Sequence, residues 1–248
     1  MKTTSNLDRC LSFINCQLQP SGPARGGGRP FVNCITVSRQ SGCGARVFAG
    51  ELADLLQASL PQGARPWTVF DRSLVEAVLH DHNLPARLAS FMPEDKVGQL
   101  NDIIEDLFSI HPPTETLVRQ TAETILRLAQ LGNVIIVGRG GNVITARLPG
   151  VLHIRLVGSV ESRAALLQNY DHIDKKTALE RIAREDGGRR RYFKEYFGRD
   201  IDDPLLYHFI INTGWVAWED AARTIAAYAL NHTAPRAGNL PPAPSKAG

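Results

Sequence analysis

A short predicted strand that leads directly into a glycine-rich turn and then into an amphipathic helix constrains the fold of this chain most. The strand, residues 32–37, precedes the turn Ser41-Gly42-Cys43-Gly44, and apolar residues at positions 48, 52, 55 and 56 then repeat at helical spacing. Glycines let the backbone approach a ligand closely, and the first turn of a helix directs unpaired N–H groups towards an anion. We call residues 41–44 the first glycine turn and predict that it binds phosphate.

This turn departs from the usual phosphate-binding pattern G-x-x-x-x-G-K-[ST], in which the lysine contacts phosphate and the hydroxyl residue holds Mg²⁺. Ala45 stands at the lysine position and Arg46 at the hydroxyl position, and the next residue, Val47, has no hydroxyl either. Arg46 has two interpretations. In the first, it contacts phosphate from one residue beyond the lysine position. In the second, it is a solvated helix residue, because a helix turns by about 100° per residue and Arg46 then faces another direction.

Length and composition favour one main domain. The chain has 248 residues, of which 43% are hydrophobic, and this is enough for a substantial core. Residues 1–30 end in a segment rich in glycine and proline, and residues 233–248 are rich in proline and alanine. We predict that both are disordered tails and that residues 31–232 form the folded domain.

Charge and cysteine spacing restrict the partners and the compartment. The net charge of +3 is mild, so a small, highly charged ligand is a better fit than a nucleic acid polymer. The cysteines lack C-x-x-C spacing, and no apolar run reaches the length of a membrane span. We therefore expect a protein of the reducing cytoplasm that does not bind membranes; the oligomeric state stays open.

Five short apolar runs alternate with segments of helical periodicity. The runs are residues 32–37, 67–70, 134–137, 151–157 and 209–211. Strands that alternate with helices form a parallel sheet covered on both faces, with ligands beyond the carboxyl ends of the strands. The predicted fold class is therefore three-layer α/β/α with a five-stranded parallel sheet.

A second glycine-rich turn follows the third predicted strand. We call residues 138–142, Gly-Arg-Gly-Gly-Asn, the second glycine turn. In a parallel sheet it lies at the same edge as the first, where Arg139 would offer a planar donor group to phosphate. The alternative is a simple tight turn with a solvated arginine.

An arginine-rich segment, residues 179–193, also has two interpretations. In the first interpretation, the segment is a lid whose arginines converge on phosphate, with Gly187 and Gly188 as its hinge. Alternatively, it is a solvated helix face neutralised by neighbouring carboxylates. The cationic residues of this region are Arg181, Arg184, Arg189, Arg190, Arg191 and Lys194.

Several spaced motifs together carry a family resemblance. They are ITVSRQSGCG at residues 35–44, FDR at 70–72, VGRGGN at 137–142, RRRYF at 189–193, FGRD at 197–200, DDPLLY at 202–207 and INT at 211–213. In this order they resemble the cytidylate kinase-like family of bacterial proteins, over roughly residues 34–230. The set is far more specific than either glycine turn alone.

The resemblance implies a P-loop nucleoside monophosphate kinase fold with a helical acceptor-binding insertion and an arginine-rich lid. It implies transfer of the γ-phosphoryl group of ATP to CMP or dCMP. By position, it assigns Arg139, Arg163, Arg189 and Arg190 to catalysis and Asp71 and Arg139 to the acceptor. The residues at the donor phosphates would be Arg39, Ser41, Gly42, Cys43, Gly44, Ala45 and Arg46.

The departures from the kinase pattern leave a second function open. Because neither Arg46 nor Val47 offers an oxygen ligand to Mg²⁺, the metal would be held mainly by nucleotide phosphates and water. The missing lysine favours a nucleotide-binding regulatory protein that has lost transfer, whereas the arginines favour an active kinase. Cys43 is either an oxidisable thiol or a small space-filler. We assign none of the tryptophans to the site.

Overall fold

A parallel sheet forms the centre of the computed structural model, which describes residues 32–61, 64–71, 73, 75, 94–109 and 116–231. Each strand corresponds to one predicted apolar run. The strands are β1 (Cys34–Arg39), β2 (Thr68–Phe70), β3 (Val134–Val137), β4 (Val151–Val157) and β5 (Phe209–Asn212). Their order in the sheet is β2-β3-β1-β4-β5, and every pairing is parallel. The predicted five-stranded parallel sheet is confirmed.

Helices connect the strands, as the alternating pattern predicts. They are α1 (Ala45–Ala58), α2 (Glu94–Leu107), α3 (Thr116–Leu131), α4 (Gly141–Ile144), α5 (Val160–Asp171), α6 (Lys175–Phe197) and α7 (Trp218–Asn231), with a 3₁₀ turn at Pro204–Leu206. The arginine-rich segment lies within α6, which continues without interruption through both of its glycines.

The sheet is buried on both faces, because successive strand residues point to opposite sides. In β3, Val134 and Ile136 join a core with α2, α3 and α6. Ile135 and Val137 join a second core with α1 and α7 on the other face. These two cores make the predicted three-layer arrangement and hold the strand ends in fixed positions.

Two details differ from the prediction of uniformly buried apolar residues. β5 is an edge strand whose side chains alternate between partly buried and exposed, and Ile210 is 45% exposed. Leu117 fits the apolar spacing of α3 but is 52% exposed, because it lies in the first turn of that helix, ahead of its buried residues.

The predicted tails lie outside the described residues, as do residues 76–93 and 110–115 of the predicted acceptor-binding insertion. Among the residues that the structure describes, no helix is both long enough and apolar enough to span a membrane.

Candidate functional site

Both glycine turns lie at the carboxyl edge of the sheet, as predicted, because β1 and β3 are adjacent and parallel. The Gly138 N–H donates to the carbonyl of Val37 over 3.0 Å. An added Cβ at Gly138 would lie 1.8 Å from Nη1 of Arg39. The guanidinium of Arg39 therefore packs directly against the second glycine turn.

The first glycine turn needs its glycines for two reasons. Gly42 and Gly44 have φ values of 82° and 69°, a left-handed region that strains other residues. A Cβ at Gly42 would lie 2.6 Å from the carbonyl oxygen of Arg163, and one at Gly44 would lie 2.3 Å from the ring of Trp218. The turn is therefore closed in by α5 and α7, and α1 begins immediately after it at Ala45.

Trp218 covers this turn, although no tryptophan was assigned to the site from the sequence. Its Nε1–H donates to the carbonyl of Cys43 over 3.1 Å, and its ring lies 5.7 Å from that of Tyr170. Cys43 is buried beneath the turn, and burial raises the pKa of its thiol. This direction favours the space-filling interpretation of Cys43 over an activated thiolate.

Carboxylates from α6 contact the first glycine turn. The N–H of Ser41 donates to Oδ1 of Asp186 over 2.7 Å, and its hydroxyl donates to Oε2 of Glu185 over 2.8 Å. Burial would raise the pKa of Glu185, but hydrogen bonds from Arg181, Ser41 and Arg189 lower it to about 2. The N–H and the hydroxyl of Ser41, the two donors that an anionic ligand would use, are thus already bonded to carboxylates.

Arg163 joins the turn to α6 from the start of α5. Its Nη1 donates to Oδ2 of Asp186 over 2.7 Å and to the carbonyl of Ser41 over 3.0 Å, while Nε donates to the carbonyl of Gly158. The side chain is almost fully buried. Arg163 therefore contacts the first glycine turn through the carbonyl of Ser41.

Arg189 and Arg190 of α6 lie near the carboxyl end of β1, where they line a pocket with Arg39 and Gln40. Arg189 pairs with Glu185 and Asp186 at 2.8 and 2.9 Å. Arg190 is more exposed, and its Nε pairs with Asp202 at 2.8 Å. The fold thus brings Arg189 to the two carboxylates that contact Ser41, and Arg190 to Asp202, which also pairs with Arg155.

Arg155 is a buried cation that sequence reasoning missed. It lies in β4, donates to the hydroxyl of Ser38 over 2.9 Å and pairs with Asp202. Its guanidinium carbon also lies 5.5 Å from the centre of the Tyr207 ring. The sequence signal that could have identified Arg155 is a single arginine inside the apolar strand pattern His-Ile-Arg-Leu-Val.

A small pocket opens between these cations. It is lined by Arg39, Gln40, Arg155, Asp186, Arg189, Arg190 and Ile201. Burial lowers the pKa of Arg39 to about 10, and repulsion from Arg189 and Arg139 adds to that effect. The concentration of positive charge suits this pocket to an anionic ligand.

Other predicted site residues lie apart from this cluster or at its edge. Arg46 is 86% exposed and pairs with Asp71 at 3.1 Å, so its side chain engages the residue after β2. Arg139 is half-buried in the second glycine turn, with φ of 57°. Among the described residues, no group of three or more His, Cys, Asp or Glu side chains is arranged to hold a metal ion.

Comparisons with known proteins point in one direction. A family model for the cytidylate kinase-like family matches residues 34–214. A cytidylate kinase of Sulfolobus acidocaldarius is 29% identical over 129 residues, which cover 52% of this chain and 67% of that protein. A cytidylate kinase of Methanocaldococcus jannaschii is 20% identical over 143 residues, covering 57% of this chain and 80% of that protein.

A crystal structure of an uncharacterized protein from Eubacterium ventriosum has a similar fold. It aligns with a TM-score of 0.53 and 20% identity, over 79% of this chain and 97% of that chain. This likeness concerns the fold alone.

Proposed function

This chain belongs to the cytidylate kinase-like family, and from that premise we propose that it is a nucleoside monophosphate kinase. It transfers the γ-phosphoryl group of ATP to CMP or dCMP and releases ADP and CDP or dCDP. The cytidylate kinases with which it shares sequence support CMP as the acceptor.

The convergence of guanidinium groups on the first glycine turn carries this proposal. Arg163 and Arg189 both lie within hydrogen-bond distance of groups that contact Ser41, and Arg39 lines one pocket together with Arg189 and Asp186. A phosphoryl group in transfer spreads negative charge over its oxygens, and positioned arginines stabilise that charge. A protein that only binds nucleotide does not need several arginines positioned around one site.

The donor phosphates of ATP are proposed to bind at the first glycine turn. The donors there fit such a ligand, because the Ser41 N–H and hydroxyl already accommodate negatively charged oxygens. Mg²⁺ would be held mainly by nucleotide phosphates and water, since neither Arg46 nor Val47 offers an oxygen ligand, and it would neutralise charge on those phosphates. In this proposal Arg139 and Asp71 contact the acceptor, and Arg190 assists Arg189.

The proposed setting is the cytoplasm, with small nucleotides as the partners. Cys34 and Cys43 are buried and unpaired as disulfides, which suits a reducing compartment. The mild net charge of +3 gives no support to a nucleic acid polymer as a partner.

A regulatory nucleotide-binding protein is the second candidate. Ala45 at the lysine position favours it, because the first glycine turn lacks the cation that usually contacts the transferred phosphate. Arg46, the neighbouring cation, pairs with Asp71 in this structure. Retained nucleotide binding without transfer would distinguish this candidate.

A coupled assay of ADP release tests the proposal. ATP and Mg²⁺ are supplied with CMP, dCMP, AMP, GMP or UMP in turn, and ATP binding is measured by calorimetry. We expect the fastest release with CMP or dCMP. ATP binding without turnover on any acceptor would replace the kinase with the regulatory candidate.

A further inference from the structure

The first glycine turn is closed by the protein's own carboxylates. Asp186 accepts the backbone N–H of Ser41, and Glu185 accepts its hydroxyl, over 2.7 and 2.8 Å. A bound phosphate would accept hydrogen bonds from these same two donors. We call Glu185 and Asp186 the carboxylate plug.

The same plug neutralises the arginines proposed to act on phosphate. Arg163 reaches Asp186 at 2.7 Å, and Arg189 reaches both plug residues at 2.8 and 2.9 Å. Arg181 also pairs with Glu185, at 3.0 Å. A phosphate that entered the turn unaided would meet two negative charges and cations that are already paired, and like charges at this distance repel strongly.

The helix that carries the plug is weakened directly after it. Gly187 and Gly188 follow the plug within α6, where glycine costs roughly 1 kcal/mol relative to alanine. Packing does not require them: a Cβ at Gly188 would meet nothing within 4 Å, and one at Gly187 would meet only the mobile end of Arg191, at 3.6 Å. These glycines therefore lower the cost of moving the plug.

We propose that the carboxylate plug is an internal phosphate mimic that keeps the first glycine turn closed until a polyphosphate displaces it. Displacement exchanges one set of anions for another around Ser41 and frees Arg163 and Arg189 to contact the incoming phosphates. The displaced carboxylates move outward as α6 bends at its glycines. Only the identity of the displacing ligand, ATP, rests on the proposed function.

Inorganic tripolyphosphate is the direct probe, because it carries the phosphates without a base. Its Kd is measured by calorimetry at 0.15 M salt for the parent, for Glu185→Gln/Asp186→Asn, and for the control Glu180→Gln/Glu195→Gln. The control removes the same charge from exposed positions of the same helix. We expect the plug variant to bind at least about tenfold more tightly than both other proteins. Equal Kd values in the plug variant and the control would overturn the proposal.

A second variant keeps the test valid if loss of Asp186 unfolds the protein. Gly187→Ala/Gly188→Ala leaves every charge in place and stiffens α6 after the plug. We expect its Kd for tripolyphosphate to rise at least threefold over the parent. An unchanged or lower Kd would contradict displacement by bending of α6.

The outcomes also separate this proposal from the proposed function. Tighter tripolyphosphate binding by the plug variant, with no phosphorylation of CMP by the parent, supports the plug and overturns the kinase. Phosphorylation of CMP by the parent, with the same Kd in the plug variant and its control, supports the kinase and overturns the plug.

Discussion

His153 is a titratable side chain that the fold keeps uncharged. It lies in β4 beside Thr36, whose Oγ1 is 2.9 Å from its Nδ1, and its ring is 5.0 Å from that of His208. Burial lowers the pKa of His153 to about 3, with a further contribution from His208. The folded chain therefore does not bind this proton at a pH at which the unfolded chain does.

Stability should consequently fall as the pH drops below 6.5. The unfolded chain takes up a proton at His153 near that pH, and the folded chain takes it up only near pH 3. The slope of the free energy of unfolding against pH therefore approaches about 1.4 kcal/mol per pH unit. Urea unfolding between pH 7.5 and 5 measures it. His153→Asn keeps a polar group near Thr36 and should reduce the slope; parallel curves for the two proteins would show that His153 is not responsible.

Single residues also mark the limit of sequence reasoning. Arg163 was assigned to the site only through the family resemblance, and its contacts with Ser41 and Asp186 are not readable from the sequence. Arg155 and Asp186 were missed as site residues, since one lies in a strand pattern and the other in a mixed-charge run. Their roles depend on which side chains the folded sheet brings opposite them, at Ser38 and Ser41, and local spacing does not contain that information.

At the scale of elements, the first glycine turn depends on its left-handed backbone. Gly44→Ala would place a methyl group 2.3 Å from the Trp218 ring at a φ of 69°, so we expect a loss of more than about 1 kcal/mol in the free energy of unfolding. Gly50→Ala is the matched control within α1. A Cβ there meets nothing within 4 Å, and the change should stabilise the protein by roughly 0.5–1 kcal/mol. Similar urea midpoints for the two variants would contradict this description of the turn.

The two interpretations of the α6 arginines are separable by activity. If Arg189 and Arg190 stabilise the transferring phosphoryl group, Arg189→Ala/Arg190→Ala should lower kcat by roughly 10²-fold. Arg184→Ala/Arg191→Ala removes the same charge from exposed positions of α6 and should stay within about twofold of the parent. Arg189→Lys should rescue only partly, because a point charge does not reproduce the paired donors of a guanidinium.

Equal kcat values for the two double variants would show that these arginines are a solvated face. The structure contains features of both interpretations, since Arg189 pairs with Asp186, which contacts Ser41, while Arg184 and Arg191 are exposed. Periodicity predicted a helix here, but the rotation of α6 relative to the sheet is set by its packing on the core.

For the whole molecule, the alternation of apolar runs and helical periodicity was sufficient to predict the sheet. Strands buried on both faces read as continuous apolar runs, and such runs identified β3 and β4 at their observed bounds. The strand order was not predictable from those runs, because it depends on how the connecting helices pack. The glycine turns were found because the backbone itself requires glycine there.

The terminal segments test the predicted extent of the folded domain. Deleting residues 1–28 and 236–248 should change Tm by less than about 2 °C, since a loss of 1 kcal/mol shifts a domain of this size by roughly 2–4 °C. Calorimetric melting of the shortened and full-length chains measures the difference. A larger drop would show that a terminal segment packs on the core.

Direct measurement of the products formed from ATP and CMP tests the central claim most directly. Purified protein is incubated with both nucleotides and Mg²⁺, and the nucleotides are separated by chromatography, beside Arg189→Ala/Arg190→Ala and Arg184→Ala/Arg191→Ala. We predict that CDP and ADP accumulate in equal amounts with the parent and with Arg184→Ala/Arg191→Ala, and much more slowly with the other variant. ADP without CDP, or neither product despite ATP binding, would contradict the assignment of this chain as a kinase that phosphorylates CMP.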